Sequence, residues 1–291
     1  MAVVKYRPVR EAELAETVEV FFASVTDMYV RSGVGAPLPV REAVEIGYRH
    51  VLRTGIFHVA EVEGRIGAIC NAVVRDRLWF LSGFWTLPHL QRQKIGGPLL
   101  ELVRAEGERM GASTFFTWSS VDLTAMAVYM KMGMLPGYQI LTFAGSAHDL
   151  PEERAEYKVE PLALSSATHL DGQVRATGRE LDHSFWLFES GHEGRQVIRD
   201  GRVVGYYYLN RGTIGPAAWA DPVDAEALLE TACREAMRQS EQARMMIPGV
   251  NHVAIRSALK AGLRLITFSH LLTTAPFGRM EQYLSSGPQL F

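Results

Sequence analysis

The stretch FWTLPHLQRQKIGGPLL at residues 84–100 decides how the first part of the chain is expected to fold. An apolar run ends there in a short polar loop, and two glycines then open a new apolar segment. This order is typical of a strand that enters a helix through a tight turn. The first turn of such a helix leaves backbone N–H groups unpaired, with the positive end of the helix dipole behind them. We therefore expect the turn to bind an anion such as a pyrophosphate.

The charges of this loop support the same interpretation. Arg92 and Lys94 place two cations beside Gly96 and Gly97. The loop lacks the Gly-Lys-Ser/Thr of a P-loop, and it lacks the three-glycine spacing of a dinucleotide-binding turn. The sequence therefore predicts a phosphate site of another type.

Apolar periodicity around the loop predicts a mixed α/β order. Helices are predicted over residues 10–30, 40–53, 98–110 and 122–132. Strands are predicted over residues 57–62, 65–74, 78–87, 114–118 and 138–143. The polar stretch after the last of these strands has the composition of a linker.

Two short patterns of this first part recur later in the chain, the second of them with the same internal spacing. An acidic-Gly-Arg turn joins two apolar runs in both places, as in a β-hairpin. The recurring residues are Gly64, Asp122, Ala125 and Gly133 in the first copy, and Gly201, Asn251, Ala254 and Gly262 in the second. We therefore expect two tandem domains, residues 1–145 and 157–291, joined by a linker at residues 146–156.

The loop resembles the pyrophosphate loop of the GCN5-related N-acetyltransferases (GNAT), which reads Gln/Arg-x-x-Gly-x-Gly/Ala. Gln91, Gly96 and the pair Leu99-Leu100 match that pattern. Lys94 stands where the family usually has its first glycine, at a position where the backbone approaches the phosphates closely or takes a positive φ. The departure puts the geometry of the loop in question, although the lysine ammonium could offset part of the loss.

A second segment carries the same resemblance. DLTAMAVYMKMGM at residues 122–134 is similar to the family's Asn-x-x-Ala-x-x-Leu-Tyr-x-Lys-x-Gly-Phe helix, with Asp122 in place of the usual Asn. The resemblance implies an α/β fold of two tandem GNAT-like domains, each with a central mixed, splayed β-sheet flanked by helices.

The resemblance implies transfer of an acetyl group from acetyl-coenzyme A to a primary amine, in a small molecule rather than a protein, by direct attack. Backbone groups of residues 84–86 would pair with the pantetheine arm and polarise the thioester carbonyl. The Tyr129 hydroxyl, with an ordinary pKa near 10, would protonate the departing thiolate. The contact of Asp122 to the cofactor would be lost or would run through water. The expected cofactor-binding residues are Phe84, Trp85, Thr86, Gln91, Arg92, Gln93, Lys94, Ile95, Gly96, Gly97, Asp122 and Ala125.

The general base stays open at this point. Relatives often place a carboxylate on the strand before the loop, but residues 78–87 read LWFLSGFWTL. Asp27, Glu61 and His89, or a chain of water molecules, are the alternatives. The aromatic residues of the strand suggest an apolar acceptor pocket, and a packed core explains them equally well.

The second copy is expected to keep the scaffold and lose the chemistry. In place of the loop it reads GPAAWADPVD at residues 215–224, which is shorter and acidic. Acidic groups at a helix N-terminus cap it and repel phosphates. Ala258 stands at the position of Tyr129. We expect residues 157–291 to bind no coenzyme A and to form a wall of the acceptor cleft or an oligomer contact.

Composition limits the class of protein. A chain of 291 residues with 47% hydrophobic and 21% charged residues can bury a sizeable core in two domains. The formal net charge of −2 argues against a dedicated binder of nucleic acid or anionic membranes. No apolar run approaches a membrane span of about 18 residues, and the N-terminus is charged, so we expect a cytoplasmic protein. Whether it is a monomer or a homodimer is left open.

The remaining reactive side chains point to no metal site. Cys70 and Cys233 lie far apart among apolar neighbours and are expected to be buried thiols. Asp182-His183 and His192-Glu193 fit no standard metal spacing. The main alternative to an enzyme is a non-catalytic acyl-coenzyme A sensor, and a third hypothesis is that both copies are structural.

Overall fold

A computed structural model describes residues 3–33, 38–148 and 150–291 of the chain. Its contacts divide the chain into two compact units. The first, unit 1, consists of Met1–Leu135 with Leu272–Thr274. The second, unit 2, consists of Pro136–Leu271 with Ala275–Phe291.

Unit 1 is a mixed sheet with helices packed against it. Its strands are β1 (Val4–Pro8), β2 (Ile56–Val62), β3 (Arg65–Arg75), β4 (Leu78–Thr86) and β5 (Thr114–Ser119). Its helices are α1 (Leu14–Ser32), α2 (Arg41–Thr54), α3 (Gly96–Arg109) and α4 (Leu123–Lys131). The strands lie in the order β1-β2-β3-β4-β5, antiparallel up to β4 and parallel between β4 and β5. This arrangement confirms the predicted fold class.

Alternate residues of the central strands of unit 1 bury opposite faces of its sheet. Val59 and Ile69 are fully buried in the cluster that α1 and α2 cover. Ala60 and Cys70, one position further along, are fully buried in the cluster that α3 and α4 cover. Each large apolar side chain buried in this way stabilises the fold by about 1.5–3 kcal/mol. The sheet therefore needs helices on both faces.

Unit 2 repeats much of this order. Its strands are β6 (Leu135–Gly145), β7 (Tyr157–Pro161), β8 (Glu193–Arg199), β9 (Arg202–Asn210), β10 (Thr213–Trp219), β11 (Ala243–Pro248), β12 (Arg264–Thr273) and β13 (Tyr283–Leu284). Its helices are α5 (Leu164–Arg175), α6 (Glu180–Phe188), α7 (Ala225–Gln239) and α8 (His252–Lys260). The strands lie in the order β12-β6-β11-β10-β9-β8-β7, and β13 pairs with β10. Among the helices within the described ranges, none is both long and apolar enough to cross a membrane.

The two units divide differently from the expected domains at residues 1–145 and 157–291. The prediction places β6 at the end of the first domain, but this strand pairs with β11 along its length from Ile140 to Gly145. Conversely, the backbone N–H of Thr274 donates to the Phe115 carbonyl at 2.9 Å in unit 1. Strand pairing is a matter of backbone hydrogen bonds, which carry little sequence signature. The described residues of the expected linker form no helix or strand, and Asp149 lies outside the described residues.

Strand β10 corrects one expectation about the second copy. The segment 215–224 is the expected counterpart of the phosphate loop, but Thr213–Trp219 is a strand. The turn before α7 is therefore only residues 220–224, of which Pro222–Asp224 form a single 3₁₀ turn.

Both cysteines are buried and free, as expected. Burial raises the pKa of the Cys70 thiol well above its usual value and that of Cys233 to about 12. Both thiols are therefore protonated and inert at neutral pH.

A buried ionic cluster organises unit 2. Asp171, on α5, accepts from the Arg179 guanidinium at 2.6 Å and from His183 Nε2 at 3.0 Å. The Tyr206 hydroxyl donates to its other oxygen, and His183 Nδ1 lies 3.0 Å from the Tyr208 hydroxyl. All five side chains are almost fully buried. His183 thus serves this cluster, in which each charged group has a partner.

The same cluster holds the last segment of unit 2. The Tyr283 hydroxyl accepts from Arg175 at 2.9 Å and from Arg179 at 3.0 Å. Arg179 also donates to the backbone carbonyl of Phe291 at 2.7 Å. Phe291 and Tyr283 are fully buried. The two arginines thereby fix β13 and the residues after it.

We predict that Asp171→Asn lowers the free energy of unfolding by about 3–5 kcal/mol, because it leaves buried Arg179 without its counter-charge. Burial alone would raise the pKa of Asp171, but Arg179 and His183 outweigh it and hold that pKa well below its usual range. Ionised Asp171 therefore stabilises the fold fully at a pH above its unfolded pKa of about 3.9. This stabilisation is lost progressively as the pH falls below that value. Urea unfolding at pH 7 and at lower pH measures both effects.

Glu45→Gln is the control for this substitution. Glu45 pairs with Arg49 at 2.9 Å, with both side chains more than two-fifths exposed. We expect that change to cost less than about 1 kcal/mol. Equal losses in the two variants would contradict a buried ionic role for Asp171.

Candidate functional site

Strand β4 separates from β5 halfway along its length. The two strands pair in parallel from Leu78 opposite Thr114 to Leu81 opposite Thr117, and among the described residues the pairing ends there. On its other side β4 stays paired with β3 as far as Thr86 opposite Ala68. The second half of β4 therefore presents backbone N–H and C=O groups to a gap beside it.

A β-bulge lies where the gap opens. Leu81 stands opposite Ala72 and Gly83 stands opposite Asn71, so that β4 has one extra residue, Ser82, between these pairs. A bulge bends its strand and increases the local twist, and this directs the rest of β4 away from β5. A Cβ on Gly83 would lie 3.1 Å from the amide atoms of Asn71, so glycine suits the close packing there.

The loop after β4 holds two non-glycine residues in the left-handed region. Arg92 has φ 62° and Lys94 has φ 60°. Lys94 thus has the left-handed backbone that glycine adopts easily. For a residue with a Cβ this conformation costs about 1–2 kcal/mol. The side chains of Arg92, Gln93 and Lys94 are exposed. The lysine therefore preserves the course of the loop and adds a cation at its surface.

The N-terminus of α3 is left uncapped. Its N-cap residue, Ile95, supplies no side-chain hydrogen bond, and its first turn holds no acidic residue. A Cβ on Gly97 would meet no atom within 4 Å, whereas a Cβ on Gly96 would lie 2.8 Å from the Phe84 ring. Gly96 thus allows the helix start to approach β4, and Gly97 leaves open space beside the first turn, whose N–H groups have no partner within the helix. We call this uncapped helix start, with the loop before it, the cradle; it lies beside the gap.

The two glutamines of the loop stabilise its backbone. Gln91 Nε2 donates to the Thr86 carbonyl at 3.2 Å, and Gln93 Nε2 donates to the His89 carbonyl at 2.9 Å. Ser24 on α1 also donates to the Thr86 carbonyl, at 3.1 Å. That carbonyl therefore already accepts hydrogen bonds within the chain. The expectation that the backbone groups of residues 84–86 are all free to bind a ligand is wrong for Thr86. Ile95 is buried and anchors the loop in the core.

Helix α4 presents Tyr129 to the same gap. The Tyr129 ring is buried and lies 6.4 Å from the Phe84 ring, centroid to centroid. Burial raises the pKa of Tyr129 above its usual value of about 10. The phenol is therefore fully protonated at neutral pH, which leaves it able to donate a proton.

Asp122 caps α4. Its Oδ1 accepts from the backbone N–H of Thr124 at 2.9 Å and of Ala125 at 3.1 Å, and its Oδ2 lies 3.5 Å from Arg31. The Asp122 carboxylate and the Ala125 N–H, which were expected to contact the cofactor, are thus hydrogen-bonded to each other.

Residues 22–134 match the model of the acetyltransferase (GNAT) family. These residues form a GNAT domain. No curated protein sequence matches the chain.

Solved structures share the fold of the whole chain. A protein from Pyrococcus horikoshii, described provisionally as an acetyltransferase, is 14% identical, with a TM-score of 0.78 over 99% of this chain and 96% of that one. A tandem GNAT protein from the clavulanic acid biosynthesis pathway is 14% identical, with a TM-score of 0.62 over 94% and 99%. A GCN5-related N-acetyltransferase from Sphaerobacter thermophilus is 14% identical, with a TM-score of 0.65 over 94% and 96%.

The candidates for a general base in the GNAT domain are separate from one another. Asp27 pairs with Arg31 at 2.8 Å, and Glu61 pairs with Arg7 at 2.8 Å. His89 is exposed in the short turn after β4. Both carboxylates are therefore already paired with cations of the chain.

The counterpart of the gap in unit 2 is closed. Strands β10 and β11 pair at Thr213 and Ile214, after which β10 has a register shift. There β13 pairs with β10, with Ala218 opposite Tyr283, and the Ser285 N–H donates to the Met246 carbonyl of β11 at 3.0 Å. In unit 2 the chain itself thus supplies hydrogen-bond partners to the backbone groups of the separated strands.

Sequence reasoning missed three residues around the gap of the GNAT domain. Ser24 lies on α1, Tyr48 on α2 and Asn71 on β3. Each is buried. Ser24 donates to the Thr86 carbonyl, Asn71 stands opposite Gly83, and the Tyr48 ring packs against Phe21 and Phe57. No local motif joins them, since only the packing of the helices on the sheet brings them together.

We predict that Lys94→Gly is more stable to unfolding than Lys94→Ala by about 1 kcal/mol, because only glycine adopts a φ of 60° without strain. Thermal or urea unfolding of the two variants measures the difference. Gln93 is the control, since it lies in the same loop and outside the positive-φ residues. There glycine should be less stable than alanine by about 0.4–1 kcal/mol. The same order at both positions would rule out a left-handed Lys94.

Proposed function

We propose that unit 1 transfers the acetyl group of acetyl-coenzyme A to the primary amine of a small molecule. The observation that carries this proposal is the open edge of β4 leading to the uncapped N-terminus of α3. Acetyl-coenzyme A supplies an activated acyl group at one end of an amide-containing arm and an anionic pyrophosphate near the other. A strand edge beside an anion cradle fits both features.

The cradle residues would bind the pyrophosphate. The N–H groups of Gly96 and Gly97 donate hydrogen bonds, and the positive end of the α3 dipole favours the negative charge. The exposed cations of Arg92 and Lys94 add to this attraction, which we expect to weaken with salt.

The free edge of β4 would orient the acyl group. Backbone groups of Phe84 and Trp85 pair with the arm, and an N–H of this edge donates to the thioester carbonyl as negative charge develops on it. The acceptor amine attacks directly, so a C–N bond forms as the C–S bond breaks. Tyr129 donates its proton to the leaving sulfur, and the proton that the attacking nitrogen loses restores the phenol through solvent. The burial of Tyr129 and its distance to Phe84 support this role.

We further propose that unit 2 is a degenerate GNAT copy that binds no coenzyme A. Its gap holds β13, and Asn251 donates to the Tyr283 carbonyl at 3.0 Å, so these groups are satisfied within the unit. Before α7, Asp221 accepts from the Val223 N–H at 3.0 Å, which puts a carboxylate where a phosphate would bind. Ala258 is buried at the position of Tyr129.

A non-catalytic acyl-coenzyme A sensor is the alternative, because β4 has no carboxylate and Asp122 and Gln91 bind within the chain. Binding of acetyl-coenzyme A with turnover of an amine panel supports the enzyme. Binding without turnover supports the sensor. For either function we infer a cytoplasmic protein without a nucleic-acid partner, which agrees with the net charge of −2.

We predict that calorimetric titration of the full chain with acetyl-coenzyme A gives one site per chain. The double variant Arg92→Ala with Lys94→Ala should weaken that site by at least about tenfold, since it removes two charge-assisted contacts. Glu63→Ala is the control, because Glu63 is exposed at the turn between β2 and β3. A second site of similar affinity would overturn the proposal for unit 2.

We predict that Tyr129→Phe lowers kcat by at least about a hundredfold and changes the Kd for acetyl-coenzyme A little, because it removes a proton donor and keeps the ring. Steady-state kinetics and calorimetry separate the two quantities. Tyr207→Phe is the matched control, as its phenol is buried within unit 2. An unchanged kcat in Tyr129→Phe would remove Tyr129 from the mechanism.

A further inference from the structure

A residue of the first strand holds the start of α3 from outside the loop. The Tyr6 hydroxyl, on β1, donates a hydrogen bond to the carbonyl oxygen of Ile95 at 3.1 Å. The two residues lie 89 positions apart in the chain, and Ile95 is the N-cap residue of α3. A carbonyl oxygen can accept two hydrogen bonds, so the phenol does not displace the first bond of the helix. Tyr6 therefore ties β1 to the cradle.

The planarity of the peptide bond makes this contact a constraint on the cradle. The C=O of Ile95 and the N–H of Gly96 belong to one trans peptide group, in which they point in opposite directions. Fixing the carbonyl therefore fixes the direction of the Gly96 N–H, one of the first N–H groups of α3, which have no partner within the helix. The Tyr6 hydroxyl binds on the carbonyl side of this peptide group, so it does not itself cover the N–H.

The Tyr6 side chain is held by packing. Tyr6 stands opposite Ala60 of β2, and its ring packs against the cluster that contains Ala60 and Ile95. Tyr6 is half-buried, whereas Ala60 and Ile95 are almost fully buried. Burial raises the pKa of Tyr6 above its usual value of about 10, so the phenol is protonated and able to donate at neutral pH. The core of unit 1, rather than the loop, thus sets the position of this hydroxyl.

The loop needs such an anchor because its backbone is strained. Lys94 directly precedes Ile95 and has φ 60°, and Arg92 has φ 62°. Strained residues keep their conformation only where the surrounding structure holds them. The Ile95 side chain, which is 4% exposed, fixes the place of the residue, and the bond from Tyr6 fixes the direction of its peptide group.

Unit 2 differs at the position of Tyr6. Its first strand, β7, repeats the Lys-x-x-Pro spacing of Lys5 and Pro8 on β1, and Val159 then stands where β1 has Tyr6. Valine has no hydroxyl to donate. The turn before α7 holds the Asp221 carboxylate, which accepts from a backbone N–H of that turn. The tyrosine is thus present in the unit that has the cradle and absent from the unit that has an acidic turn instead.

Building on the proposed function, we propose that Tyr6 is a positioning residue for the pyrophosphate of acetyl-coenzyme A. It acts through the Ile95 carbonyl and holds the Gly96 N–H in the direction in which the cradle binds an anion. It touches neither the coenzyme nor the acetyl group. Strand β1 is thereby part of the coenzyme site, although β2 and β3 separate it from β4 in the sheet. Tyr6 then affects binding of donors that contain a pyrophosphate and leaves the acyl transfer itself unchanged.

The test compares two acyl donors for the full chain and for Tyr6→Phe. Acetyl-coenzyme A contains the pyrophosphate, and S-acetylpantetheine has the same thioester and arm without it. We expect Tyr6→Phe to raise the KM and the calorimetric Kd for acetyl-coenzyme A about tenfold, the effect of one weakened charge-assisted hydrogen bond, and to keep kcat within about twofold. With S-acetylpantetheine, kcat/KM should stay within about twofold of that of the unaltered protein. A merely structural loss would lower kcat/KM equally with both donors.

Tyr157→Phe is the matched control. Tyr157 is a half-buried tyrosine on the first strand of unit 2, and its hydroxyl donates to Asp224 at 2.9 Å. Each variant loses one hydroxyl hydrogen bond, so each should lower the thermal midpoint by only a few degrees. Tyr157→Phe should keep the Kd for acetyl-coenzyme A.

An unchanged Kd for acetyl-coenzyme A in Tyr6→Phe would overturn this inference alone, as would equal losses with the two donors. Binding of acetyl-coenzyme A without turnover would overturn the proposed function. The calorimetric Kd of Tyr6→Phe for acetyl-coenzyme A would then decide this inference by itself, with a rise of about tenfold supporting it and no change refuting it. Absence of any binding to the unaltered protein would overturn both.

Discussion

The separation of β4 from β5 is the constraint on which the site of unit 1 depends. One extra residue at Ser82 bends β4, and parallel pairing ends at Leu81 opposite Thr117. The rest of β4 keeps its bonds to β3, so the strand stays fixed while its other edge is exposed. A flat sheet would satisfy these backbone groups and leave no place for a ligand. Tyr129 packs in the cluster on one face of this sheet, and Tyr48 packs in the cluster on the other.

The two helices that begin near the gap differ in how their N-termini are capped. Asp122 satisfies the first N–H groups of α4, so this end is closed to anions. The start of α3 has no such cap, and Gly97 leaves space in front of it. The left-handed backbone of Lys94 keeps the loop clear of that space. The loop is thus less stable than it would be with glycine at position 94, but the lysine places a cation beside the uncapped helix.

In unit 2 the same gap is filled by a strand of the chain itself. Its strands also part after a short parallel pairing, and β13 lies between them. Tyr283 on β13 is held by Arg175 and Arg179, whose charges Asp171 balances. A covalently attached strand binds without the loss of translational freedom that a separate ligand incurs. The closed gap is therefore a stable part of the core of unit 2.

The sequence by itself determined the mixed α/β class, the order of most elements and the loop at residues 84–100, because periodicity, glycines and turn residues act over short distances. The sequence left open whether the backbone at Lys94 takes a positive φ, and the structure shows that it does. Only the tertiary structure decided that β6 pairs within unit 2, that Asp122 is a cap, and that β13 fills a gap. It alone brought Tyr48 to Asn71. Such contacts join residues far apart in the chain through backbone pairing and helix packing, which short sequence patterns do not encode.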